Sequence, residues 1–505
     1  MPQYKQSEIT APFWATNDGF KGGRDPMGIQ NSSVATYGRL LPGLTNLTGH
    51  IRYYSLYCWL LSEYDKLEIE EQTEIHQYNF IRRAELALAL IMKDQNIGSV
   101  VGALFVSQQR YNLIEEGLYD LSDGGDYDSD DKYWTYQTGA FGQYYLGSLI
   151  FYELVKIEEG RFYLRDKGKT LATAFKNSVD EDTRDLFVDC VVEGSISEEE
   201  IEDLLPLGLN KISIGSAEWN SLNHLLTKQD DDGSSLRRET VLLMLKDIER
   251  GVTVDNFVEH RFLNADEDDD CEASFGWYFY YLCEALHYCI ESLFCLILNE
   301  IHDLGNPSIK ILVEDIKEKM LSYMEEEKRY ETIDEWRKSI KGQIEEMLDK
   351  LKEFIYVKDY TQAAVQSLKL LLRLQNEYEQ DKERILDFQN DNDLTRQRGI
   401  LSEGLKSYVL LHSRLPIAKY IETIVHQIMQ EHTIIAIGKM GNNDNDLRKF
   451  IFEDGRAILI EIRYPVATSP RIYSLYNFLQ DLSYIDSDGQ LTDVAYNYIQ
   501  NYGSD

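Results

Sequence analysis

Apolar residues crowd the stretch Ile51–Leu61, where Tyr53, Tyr54, Leu56, Tyr57, Trp59 and Leu60 leave almost no polar face. A helix with this pattern is buried on most sides in the middle of its domain. Residues 275–304, opening Phe275-Gly-Trp-Tyr-Phe-Tyr-Tyr281, are long enough to span a bilayer. Glu284, His287 and Glu291 interrupt them, and each acid would cost roughly 2–3 kcal/mol in lipid, so a core helix is expected and no membrane partner. Farther along, Ile333, Trp336, Ile340, Ile344, Met347, Leu351 and Phe354 recur at steps of three and four, the stripe of one long amphipathic helix. With a second helix from about Thr361 to Phe388, this region reads as a helical hairpin, an arm suited to contacting a partner. After a helix around Leu415–Gln430 the period changes to two, in Thr433-Ile-Ile-Ala-Ile437 and in Phe450–Tyr464, with Glu453-Asp-Gly455 as a hairpin turn.

Between Gly139 and Phe175 a helix-like stretch (Tyr144, Leu146, Leu149, Ile150, Leu154) runs into Val155-Lys-Ile157. A turn at Glu159-Gly-Arg161 leads to Phe162-Tyr-Leu164 and then to a helix opened by Asp166. Helix, short hairpin, helix is the order of the C-terminal half of a winged helix. The C-terminus repeats the layout, with a helix over Leu475–Leu482, a turn through Ile485 and Asp488-Gly-Gln-Leu491, and Thr492 capping a helix through Ile499. A chain of 505 residues should divide into roughly two to four domains, and Asp303-Leu-Gly-Asn-Pro307 marks the main break. The expectation is a mainly α, multi-domain helical protein with two small winged-helix-like α/β units and a long helical hairpin. An N-terminal helical domain covers 1–305, with its winged-helix-like unit at about 139–176. A helical hairpin or coiled-coil-like arm covers 306–405, and a C-terminal α/β winged-helix-like domain covers 406–505.

Charge narrows the function. Against 51 Lys and Arg stand 87 Asp and Glu, a formal net charge of −36, and such a surface repels phosphates and anionic lipid unless cations are concentrated locally. The one local concentration on a wing is Arg161, Arg165, Lys167 and Lys169, the face through which a nucleic-acid sensor would bind. A protein partner suits the charge better. The opening Met-Pro-Gln-Tyr-Lys-Gln-Ser-Glu has no basic segment followed by an apolar one, so a cytoplasmic protein is expected. Cys58, Cys190, Cys271, Cys283, Cys289 and Cys295 form no Cys-x-x-Cys pair, which indicates neither a zinc site nor a disulfide framework.

Several residues resemble parts of active sites. Asp126, Asp128 and Asp130 are spaced like the first ligands of an EF-hand, but Asp131 stands at the position of the turn glycine and Gln137 at that of the closing glutamate. A solvated loop is expected. The same holds for Asp230-Asp-Asp-Gly233 and Asp266–Asp270. Gly168-Lys-Thr170 is no phosphate loop, because Tyr163 occupies the position of the required first glycine. Glu284 and His287 have the Glu-x-x-His spacing of di-iron bundles, but that motif occurs only once, so a buried polar pair is expected. Glu461-Ile-Arg463 could be a degraded Glu-x-Lys nuclease signature, with Asp446 or Asp454 as the second acid on magnesium. Arg463 cannot give up a proton as Lys would, which favours a surface charge pair. His50 and Arg52, at the start of an apolar helix, need a carboxylate such as Asp25. No cofactor and no metal are expected.

Arg24-Asp-Pro-Met-Gly28, Leu40-Leu-Pro-Gly-Leu-Thr45 and Ile51-Arg-Tyr-Tyr-Ser55 followed by Trp59 resemble the opening of uncharacterised bacterial proteins encoded in anti-phage defence loci. Leu164-Arg-Asp-Lys-Gly168 is similar to a later stretch in them. The resemblance covers about the first third of the chain and carries no catalytic residues. It implies a subunit of a defence complex. With the lack of any complete catalytic constellation and the acidity, the expectation is a non-catalytic adaptor, scaffold or regulatory subunit that binds an ATPase, helicase or nuclease partner from the same operon. A metal-dependent nuclease and a nucleic-acid sensor are the alternatives.

Overall fold

A computed structural model describes residues 25–67, 73–95, 97–110, 114–115, 117–228, 234–265, 271–397, 399–440 and 447–502. The described residues form 22 α-helices and a few short strands and the protein is 65% helical, so it is a mainly α, multi-helical protein. It divides into two compact units, each made of two separate pieces of chain. The first holds Met1–Arg39 and Val258–Thr468; the second holds Leu40–Phe257 and Ser469–Asp505. The boundaries expected near 305 and 405 both fall inside the first unit. The break at Asp303–Pro307 is an internal turn there, with Ala457 N donating to Pro307 O and Ile309 N donating to Gly455 O.

The first unit is organised around the helix Glu272–Asp303. By length and composition this helix could cross a membrane, yet 94% of its most apolar window is buried inside the fold. It packs against Tyr360–Gln380, Ile417–Lys439 and Ile309–Ser322. The long helix expected over Ile333–Phe354 is two helices, Ile333–Ser339 and Ile344–Tyr356. Between them Ile340 is extended and Gly342 has φ +122°, a region that glycine adopts easily. Ile333, Trp336, Ile344, Leu348 and Leu351 still enter one core with Leu286, Leu371 and Ile424. The expected arm is therefore packed against its own unit.

Thr433-Ile-Ile-Ala-Ile437, expected as a strand, is the last part of the helix Ile417–Lys439. Ile435 and Ala436 are buried while Ile434 and Ile437 are exposed, so one-sided packing overrides the β propensity of the run. The hairpin does form, between Phe450–Glu453 and Arg456–Leu459, with Asp454 and Gly455 left-handed at its turn. It ends at Leu459, short of the expected Tyr464.

In the second unit the helix Arg52–Tyr64 is buried along nearly its whole length and packs on Asp166–Lys176. Leu146–Phe151, the antiparallel pair Val155–Glu158 and Arg161–Leu164, and Asp166–Lys176 follow the helix, hairpin, helix order. At the C-terminus, Ile472–Asp481 and Asp493–Tyr502 are joined through one isolated bridge between Ile485 and Leu491. Ile114–Glu115, Leu118–Asp120 and Ser195–Ser197 form a small sheet that had no strong sequence signal.

Gly168 lies where the hairpin meets the next helix. A Cβ there would stand 2.1 Å from Leu154 O, so Gly168→Ala should destabilise the second unit by about 1–3 kcal/mol. Gly147 lies in a helix with nothing within 4 Å of its Cβ position, and Gly147→Ala should stabilise by about 0.5–1 kcal/mol. Urea denaturation of both variants gives the comparison, and equal effects would contradict this packing.

Candidate functional site

In the first unit a cleft of about 350 Å³ is lined by Asp25, His432, Lys439, Lys449, Glu461 and Arg463 among others. His432 lies on the inward face of its helix, fully buried. Its Nδ1 is 2.9 Å from Pro26 O, and its Nε2 is 2.9 Å from Lys449 N. A carbonyl only accepts and a backbone N–H only donates, so the ring is neutral with its proton on Nδ1. Both nitrogens are thus engaged in tying residue 26, this helix and the strand Phe450–Glu453 together, and neither is available as a base.

Lys439 Nζ donates to Asp25 O at 2.5 Å. The Asp25 carboxylate accepts Met27 N and Gln30 N, each at 3.1 Å. Burial pushes the Asp25 pKa up, and the nearby Lys439 charge opposes that rise. Lys449 Nζ pairs with Glu461. The Arg463 Nε is buried without a hydrogen-bond partner among the described residues.

On the long helix, Glu284, His287 and Glu291 share one face at spacings of three and four. His287 Nδ1 is 3.5 Å from Glu284 Oε1, and its Nε2 is 3.3 Å from Glu291 Oε1. Neither contact has hydrogen-bond geometry, so these are ion pairs held by charge. Burial alone would lower the His287 pKa, but the two carboxylates outweigh it and raise the value to about 10. Burial would raise the Glu284 pKa, but His287 and Thr468 outweigh it and hold the carboxyl below its ordinary range. Glu284 accepts Thr468 N at 2.6 Å and Thr468 Oγ1 at 2.7 Å. Glu291 accepts Gln30 Nε2 at 2.9 Å and Val466 N at 3.1 Å. The triad fastens residues 30 and 466–468 to the central helix. Sequence reasoning paired Glu284 with His287 and missed Glu291, whose i+4 spacing was the available signal.

The other candidates are dispersed. Asp454 is at the hairpin turn and Glu461 lies beyond the hairpin's open end, so these two acids do not share a site. Asp446 is outside the described residues, as are the loops 230–233 and 266–270. Among the described residues no group of three His, Cys, Asp or Glu side chains is placed to hold a metal ion. Asp126, of the EF-hand-like loop, makes a two-pronged pair with Arg83, both contacts at 2.6 Å. On the wing, Lys167 pairs with Glu153 at 2.6 Å and Lys169 with Asp166 at 3.3 Å. Arg161 lies over the Tyr64 and Tyr163 rings, and the Arg165 charge acts on Glu153. His50 and Arg52 do take carboxylates, but these are Asp481 and Glu218 in place of Asp25.

Fold and site together define a mainly α, two-unit protein in which buried ionisable groups act as internal ties. No family model, curated protein or solved structure matches the chain.

Proposed function

We propose that this chain is a non-catalytic adaptor or scaffold subunit of a multi-protein bacterial anti-phage defence complex, holding an ATPase, helicase or nuclease partner in the cytoplasm. The observation that carries this reading is the use of the chemically suggestive residues. His432 has both ring nitrogens committed to backbone groups, and His287 is enclosed by two carboxylates that themselves bind backbone and side-chain donors. Asp454 sits at the hairpin's turn and Glu461 lies beyond its open end. The resemblance of the N-terminal third supplies the defence context. The wing-like unit at about 139–176 has Lys167 and Lys169 matched by carboxylates, which suits contact with a protein better than tracking a phosphate backbone.

Tagged chain purified from its native host should elute with a stoichiometric ATPase, helicase or nuclease. The purified chain alone, incubated with DNA or RNA and magnesium or manganese, should leave the nucleic acid intact. Elution as a free chain, or metal-dependent cleavage abolished by Glu461→Ala, would remove the adaptor reading.

A further inference from the structure

A second cleft, of about 640 Å³, lies wholly within the second unit. In a chain where 27% of residues are charged, none of the described residues lining it carries a charge. Its walls are aromatic instead, with Phe105, Tyr133, Trp134, Tyr144 and Tyr473. Trp134 and Tyr144 meet edge to face at 5.3 Å, and Phe105 and Tyr133 do so at 6.5 Å.

The walls are fixed by bonds made outside the cavity. Trp134 Nε1 donates to Gln143 at 2.8 Å, Tyr133 donates to Glu85, and Tyr473 donates to Asp255. Between them the loop 98–102 is held by His50 Nε2 on Gly98 O at 2.8 Å and by Val101 N on the Tyr53 hydroxyl at 3.0 Å. Within that loop Ser99, a non-glycine residue, is left-handed at φ +59°, a conformation that persists only where the surroundings enforce it. Three carboxamides also line the cleft, those of Asn46, Gln108 and Asn477. None of them is hydrogen-bonded to a described residue, so their donors and acceptors are free for a ligand.

We propose that this cleft binds the uncharged base of a nucleoside-class ligand. The volume lies within the ordinary range for a small-molecule site. Aromatic faces stack on any base, and a carboxamide offers a donor and an acceptor side by side, which matches a base edge. A phosphate finds no cation in the lining and meets a chain of net charge −36, so the neutral part of the ligand is what the site recognises. This cleft is independent of the adaptor reading, which stands or falls on other residues.

The test is calorimetric titration of the full chain with adenosine, guanosine, cytidine and uridine, and with the 5′-monophosphate of whichever binds best. At least one nucleoside should bind saturably with one site per chain, and its monophosphate should bind no tighter. Trp134→Ala should weaken binding by about 5- to 150-fold, the loss of one stacking partner. Asn477→Ala, on a partly exposed side chain that spares the fold, should weaken it and change the preference among the four bases. The proposal is overturned if no nucleoside saturates up to millimolar concentration, if only the monophosphate binds, or if binding survives both substitutions unchanged.

Discussion

Glu218→Ala should cost the second unit about 3–5 kcal/mol, the usual consequence of removing one partner from a buried ion pair. Glu218 is fully buried on the helix Ala217–Thr227. Its carboxylate accepts Arg52 Nε at 3.0 Å and Nη2 at 3.2 Å, Ser55 Oγ at 2.7 Å and Ser178 Oγ at 2.5 Å. Arg52 also donates to Pro206 O and Gly208 O, so the guanidinium is held in place and cannot swing out to water when its counter-charge is lost. The penalty is that of an uncompensated buried cation. The double variant Arg52→Met with Glu218→Leu should recover most of the loss, because apolar groups of similar volume need no such compensation. Urea denaturation of the single and double variants decides the matter. A loss below about 1 kcal/mol for Glu218→Ala would show that the pair contributes little.

His287→Ala should be of similar size in the first unit, about 3–5 kcal/mol near neutral pH, because it leaves two carboxylates buried without their cation. It should also change the pH dependence. The His287 pKa is raised from an ordinary 6.5 to about 10. Its stabilising contribution is therefore complete below pH 6.5, declines as the pH rises through the window to about 10, and is absent above it. The wild-type protein should lose this contribution across that window, and the His287→Ala variant should lack the slope. Glu284 moves the other way. Its depressed pKa contributes stability above its ordinary value of 4.5 that is lost as the pH falls below it. Unfolding free energies at pH 6.5, 8 and 10 should thus converge between wild type and variant as the pH rises. A constant difference would mean that His287 is not charged in the folded state.

Much of the helical architecture was legible because burial leaves a local record. Ile51–Leu61 has almost no polar face, and residues 275–304 carry acids that lipid would not accept, so the residues of each stretch suffice to place it in a core. Other features depend on contacts that periodicity does not encode. The stripe Ile333–Phe354 keeps its steps of three and four through the turn at Gly342, so its spacing could not reveal the break. Thr433–Ile437 is rich in β-branched residues as a strand would be, but His432, Ile435 and Ala436 pack inward from a helix. Linear domain boundaries failed because the chain leaves each unit and returns to it.

The site followed the same division. Glu284, His287 and Glu291 sit within two turns of one helix, and their spacing alone brings them together. The partner of Arg52 lies 166 residues away in sequence, and nothing near Arg52 pointed to Glu218. The hairpin was foreseen, and its own geometry separates Asp454 from Glu461.

The protonation state of His287 is the most direct test of whether buried ionisable groups serve this protein as charged ties. With histidines labelled in ring ¹⁵N and His287 assigned by its absence in His287→Ala, both ring nitrogens should carry protons at pH 8. A neutral ring at that pH, with one nitrogen bare, would contradict a charged tie and leave an available base in the middle of the long helix.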